Sequence, residues 1–105
     1  MDLLEYLEKN HKGKGKAVHS YTLERLFQID GRTLRRRISK LRQAGHPICS
    51  DASGYYYADN QNEINRTVSR LNTLVMRISN ARTGLMYSKP KNPKKIEIVV
   101  KLVGE

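Results

Sequence analysis

Apolar residues return every three or four positions through most of this chain, and the interruptions mark where its elements end. Leu3, Leu4 and Leu7 share one face over residues 2–11, with Tyr6 beside them. Asp2 stands where a capping acid complements a helix dipole. Gly13 and Gly15 in KGKGK close this helix, and Ala17-Val18 is long enough only for one edge of a small sheet. Ser20 reads as the N-cap of a second helix over 20–27, with Leu23, Leu26 and Phe27 as its stripe. Gln28-Ile29-Asp30-Gly31 makes a tight turn, and Asp30 caps a third helix over 31–44. There Leu34, Ile38 and Leu41 recur at i, i+4 and i+7; Gly45 suits the position past the helix end, and Pro47 bars continuation.

Beyond Pro47 the period changes from helical to alternating. Ile48-Cys49-Ser50 and Tyr55-Tyr56-Tyr57-Ala58 read as two strands of a hairpin closed by Asp51-Ala52-Ser53-Gly54. Alternation sets Tyr55 and Tyr57 on one face, expected to fill the core, and Tyr56 on the other, expected to be exposed. A long helix is expected over 60–82, because Ile64, Val68, Leu71, Val75 and Ile78 recur in a heptad-like stripe, widened by Leu74 and Met76. Such a stripe serves either packing within the chain or dimerisation. Residues 83–95 read as a basic, proline-containing linker, and 96–103 as a lone strand whose partner must lie elsewhere, with Ile98 and Val100 as candidate oligomerisation contacts. The expected organisation is therefore an N-terminal domain at 1–59, the helix at 60–82, the linker and the terminal strand.

Composition changes this picture through charge. The chain has 105 residues, 20 Lys+Arg and 10 Asp+Glu, a formal net charge of +10, which favours a polyanionic partner. The excess is concentrated: Gly31 to Gly45 carries six basic residues and no acid. With Leu34 at 0° and about 100° per residue, Arg32, Thr33, Arg36, Lys40 and Gln43 fall opposite the apolar stripe. Arg35 and Arg37 flank it. No apolar run approaches the roughly 18–20 residues of a membrane span, and the N-terminus lacks the pattern of a secretory signal. One cysteine, Cys49, permits no internal disulfide and suits a reducing cytoplasm.

Candidate chemistry is sparse. His11, His19, His46 and Cys49 have no zinc-site spacing, so no metal or other cofactor is expected. The GKG within Lys12–Lys16 lacks the strand and helix of a phosphate-binding loop and reads as a mobile basic loop. No nucleophile–base pair or paired carboxylates stand out, so an enzyme is not expected.

The segment Ala17–Ala58, AVHSYTLERLFQIDGRTLRRRISKLRQAGHPICSDASGYYYA, resembles the winged helix-turn-helix of biotin-repressor-type regulators. It is closer still to small winged-helix proteins of phages and prophages of Gram-positive bacteria. The resemblance implies an α+β, mainly helical fold, a winged helix-turn-helix with an added long C-terminal helix and a terminal β-strand. It also implies a cytoplasmic, sequence-specific double-stranded DNA-binding protein, a transcriptional regulator that acts as a homodimer. Helix 31–44 would then enter the major groove, with Arg32, Thr33, Arg36, Lys40 and Gln43 toward the DNA and Arg35, Arg37 and Arg42 on phosphates. Ser53 and Tyr56 would belong to the wing. The wing tip carries Asp51 and no base, so Lys12, Lys14 and Lys16 would supply flanking charge. Ile64, Val68, Leu71, Val75, Ile78, Ile98 and Val100 would hold the dimer. The basic linker and lone strand also suit a different reading: a phage-encoded interaction module on RNA or a nucleoprotein complex, such as an inhibitor of a host defence nuclease or a replication accessory factor.

Overall fold

The computed structural model describes residues 1–91, which are α+β and mostly helical. The strand expected at 96–103, with Ile98 and Val100, and the linker from residue 92 lie outside the described residues. The chain divides into two compact units, residues 1–71 and Asn72 onward.

The first unit begins with α1 (Leu3–Asn10), whose Asp2 cap accepts the Glu5 N–H at 2.8 Å. A short 3₁₀ turn over Lys14–Lys16 leads to α2 (Ser20–Phe27). Helix α2 covers the expected residues, but His19, not Ser20, holds the cap position, and its carbonyl accepts from Thr22 and Leu23. The reason lies upstream, where Val18 exchanges two 2.8 Å backbone hydrogen bonds with Tyr55 and so fixes where the chain can turn. Leu23 is fully buried and Phe27 packs on the core, but Leu26 falls outside the covered face and is exposed. Gln28, in the left-handed region at φ 54°, ends α2. Asp30 then caps α3 (Gly31–Gln43) by accepting the Thr33 N–H at 2.8 Å.

Strands β1 (Ile48–Asp51) and β2 (Gly54–Tyr57) pair antiparallel with Cys49 opposite Tyr56 and Asp51 opposite Gly54. The hairpin is covered on both faces. On one face Ile48 joins Leu3, Leu7, Val18, Leu23, Leu34 and Ile38, with Tyr55 and Tyr57 packed against them half-buried. On the other, Cys49, Tyr56 and Ala58 form a second cluster with Ala17 and Ile64. The expected exposure of Tyr56 is therefore overturned. Alternation assigned the three tyrosines to the right faces, but the start of α4 (Gln61–Met86) covers the second, and Tyr56 is 2% exposed. Burial also pushes its hydroxyl pKa up.

Glu63 fixes the start of α4. It is buried, and its carboxylate accepts the Lys14 N–H at 2.8 Å and the Asp59 N–H at 2.7 Å, while Asn60 Oδ1 accepts the Glu63 N–H at 3.0 Å. These donors, Asp59 first and Lys14 next, hold its pKa below the usual glutamate value. The Lys12–Lys16 segment, expected to be a mobile loop, is tied on both sides. Besides Lys14 to Glu63, Gly13 N–H donates to Tyr57 O and Tyr57 N–H to His11 O, each at 2.8 Å. Helix α4 runs to Met86, so residues 83–86, expected in the linker, are helical. No helix among the described residues is long and apolar enough to cross a membrane.

Two outcomes follow from these contacts. Gly54 has φ +124°, and a Cβ there would overlap the Val18 carbonyl. Gly54→Ala is expected to cost about 3 kcal/mol or more in denaturant unfolding, through strain and overlap. Because the folded-state pKa of Glu63 is depressed, its contribution is complete above the ordinary glutamate value of about 4.3 and is lost as pH falls through the folded value. Glu63→Gln, which leaves one oxygen to face two donors, should lose about 2 kcal/mol at neutral pH. The variant should also show a shallower loss of stability toward acid than the parent chain.

Candidate nucleic-acid interface

Helix α3 forms because its apolar positions meet one groove and its ends are closed by polar groups. Leu34 and Ile38 are 0% and 2% exposed, Leu41 packs beside them, and Gly45 reverses the chain at φ +96°. Fully burying two such side chains is worth about 1.5–3 kcal/mol each, which fixes the rotation of the helix about its axis. The opposite face is thereby committed to solvent. Arg32, Arg35, Arg36, Arg37 and Lys40 are all exposed on α3 and no acid lies within the helix.

The remaining candidates have more specific surroundings. Thr33 is half-buried and gives its N–H and hydroxyl to Asp30, whose pKa these bonds lower; its part is to close the helix end. Arg36 Nη2 lies 3.5 Å from the Thr33 hydroxyl oxygen, so Arg36 stands over the first turn of α3. Gln43 is exposed and donates from Nε2 to Ser39 Oγ at 3.0 Å. Arg42 is not the free phosphate contact expected of it. It is half-buried, donates from Nε to Ile48 O at 2.8 Å and from Nη2 to Ser50 Oγ at 3.0 Å, and stands 6.0 Å over the Tyr55 ring. Burial lowers its pKa. Arg42 thus clamps α3 to β1, a use of arginine that spacing along α3 does not reveal.

The hairpin tip is tight. Asp51 Oδ1 accepts the Ser53 N–H at 2.7 Å, and Ala52 and Ser53 are exposed. Ser53 is exposed, whereas Tyr56 is buried and cannot reach a ligand as a wing residue. The Lys14 and Lys16 side chains are exposed, but their loop is bonded to β2 and the first turn of α4 rather than to α3.

Two further features escaped the sequence reading. Tyr21, 61% exposed, receives a hydrogen bond from Arg25 Nη1 at 3.2 Å, with the guanidinium 5.4 Å over its ring. The i, i+4 spacing of an aromatic and an arginine was the available signal. A shallow cleft of about 450 Å³ runs beside α3, lined by Arg35, Ser39, Arg42, Gln43, Tyr55 and Leu71. Its Leu71 wall comes from α4, so no pattern local to α3 reports it. Of the soft ligands, His11 is engaged through Nδ1 with Lys16 O at 2.8 Å and Nε2 with the Tyr6 hydroxyl at 3.2 Å, and Cys49 is buried.

No family model matches the chain, and comparison with known proteins and with solved structures gives no match.

The two kinds of arginine on α3 are separable by substitution. Arg42→Ala should cost about 2 kcal/mol of stability, since it strips charge-assisted bonds and packing from a half-buried site. Arg36→Ala, on the exposed face, should stay within about 0.5 kcal/mol. Thermal and urea unfolding of the two variants checks the difference.

Proposed function

We propose that this chain is a sequence-specific double-stranded DNA-binding protein of the winged helix-turn-helix kind, a regulator that lays α3 in the major groove. One observation carries the reading: five exposed basic side chains, Arg32, Arg35, Arg36, Arg37 and Lys40, with no acid among them, on a helix locked in place by Leu34, Ile38 and the Arg42 clamp. A major groove about 12 Å wide admits a helix, and arginine pairs bidentately with the guanine edge. Arg32 and Arg36, near the N-terminal half of α3, are assigned to base edges. Arg35, Arg37 and Lys40 are assigned to phosphates. The order α2, tight turn, α3 and two-stranded hairpin supports the same assignment. The acidic, base-free hairpin tip gives the wing a smaller part, limited to Ser53 and the backbone around it.

The test is duplex binding at graded salt. With about 6 phosphate contacts, affinity should fall about 10³-fold between 50 and 200 mM salt. The triple variant Arg32→Glu, Arg36→Glu, Lys40→Glu should lose binding while keeping the unfolding midpoint of the parent. Selection from a random duplex library should return a defined sequence. No duplex binding at low salt, a salt-independent affinity, or stronger binding to folded RNA than to duplex DNA would overturn the reading.

A further inference from the structure

A cavity of about 270 Å³ lies between the turn that joins α3 to β1, β1 itself and the first turns of α4. Pro47, Ile48, Ile64 and Leu71 give it apolar walls, and the buried Cys49 also lines it. Arg42 lines both this cavity and the cleft beside α3, and is its only permanently charged side chain.

That guanidinium lacks a counter-charge. Its Nε and Nη2 donate to two neutral acceptors, Ile48 O and Ser50 Oγ, and its Nη1 has no acceptor among the described residues. No carboxylate lines the cavity. Glu63, next to Ile64 in the chain, is turned to the N–H groups of Lys14 and Asp59. Burial pushes the Cys49 thiol pKa up, so no thiolate supplies the missing charge. Burial also lowers the Arg42 pKa, and the positive charge of Arg70 lowers it further. A half-buried cation with neutral partners only is uncompensated, and an anion beside it relieves that cost.

We propose that this cavity binds a small organic monoanion, with its carboxylate on Arg42 and an apolar body of about one ring against Pro47, Ile48, Ile64 and Leu71. Volume limits the ligand. An apolar cavity of about 150 Å³ takes benzene, so one of about 270 Å³ has room for a ring and its carboxylate. It falls below the roughly 300–1,000 Å³ that drug-sized molecules need, which excludes a nucleotide or a peptide. An arginine N–H to a carboxylate is a charge-assisted bond, stronger than the same bond to a neutral oxygen. Because Arg42 also ties α3 to β1, the ligand stabilises the join between that helix and the hairpin.

The measurement is an amide-detected NMR titration of the full chain without nucleic acid, so its failure leaves the DNA-binding reading untouched. The probes are benzoate, phenylacetate and hexanoate. At least one should give saturable shifts at the amides of residues 45–49 and 64–71. For benzoate-type binding, the neutral benzamide should be at least tenfold weaker, and acetate, which has the charge without the apolar body, should leave those amides unshifted. Arg42→Gln should weaken binding at least tenfold, whereas Arg36→Ala, on the outer face of α3, should bind as the parent does. Absence of saturable shifts at those amides with all three carboxylates overturns the proposal. So does benzamide binding as tightly as benzoate, acetate shifting the cavity amides equally, or loss of binding in Arg36→Ala. The comparison of benzoate with benzamide needs only the parent chain, so it decides the matter even if Arg42→Gln fails to fold.

Discussion

The β1–β2 hairpin has to be covered on both faces, and the rest of the first unit is arranged to do it. An isolated two-stranded hairpin is marginal in water, because one turn and four residues a strand bury too little apolar surface. Here Ile48 and the rings of Tyr55 and Tyr57 rest on the core that α1, α2 and α3 share, and Cys49 and Tyr56 are closed over by Ala58, Ala17 and Ile64. The outer edge of β2 is covered too. Val18 bridges to Tyr55 and Lys12 to Tyr57, so β2 meets three other stretches of chain. Every element of the unit therefore has one contact it cannot give up without uncovering part of the sheet.

Four of the chain's ten acids accept from backbone donors. Asp2 accepts from Glu5, Asp30 from Thr33, Asp51 from Ser53, and Glu63 from Lys14 and Asp59. A carboxylate held by N–H groups closes helix ends and turns, where unmatched donors collect. The cations on the outer face of α3 have no acid within their own helix.

Local signals in the sequence were sufficient for the parts that are locally determined. The caps at Asp2 and Asp30, the stop at Gly45, the two-residue hairpin tip and the apolar stripe of α3 each depend on residues within about one helical turn. What could not be read there depends on distant chain. Tyr56 is buried because residues 58–64 come back over it. Arg42 is a clamp because β1 brings Ile48 O and Ser50 within reach, and the Lys12–Lys16 loop is held because Glu63, 49 positions after Lys14, accepts from it. For the candidate interface, the exposed bases on α3 were legible from the wheel alone. The exclusion of Arg42 and Tyr56 was not, since both are polar-tipped side chains whose identity suits a surface as well as a partly buried site.

The bonds between Val18 and Tyr55 lie just behind the hairpin tip, with Gly54 pressed against the Val18 carbonyl. They act as a clasp that separates the two tip residues from the packed sheet. Strain or extra length introduced at Ala52-Ser53 ends at that clasp and is not passed to Tyr56 or Leu34. The tip is thus the place where this fold tolerates insertion, and where a longer, basic loop could be acquired without refolding anything behind it.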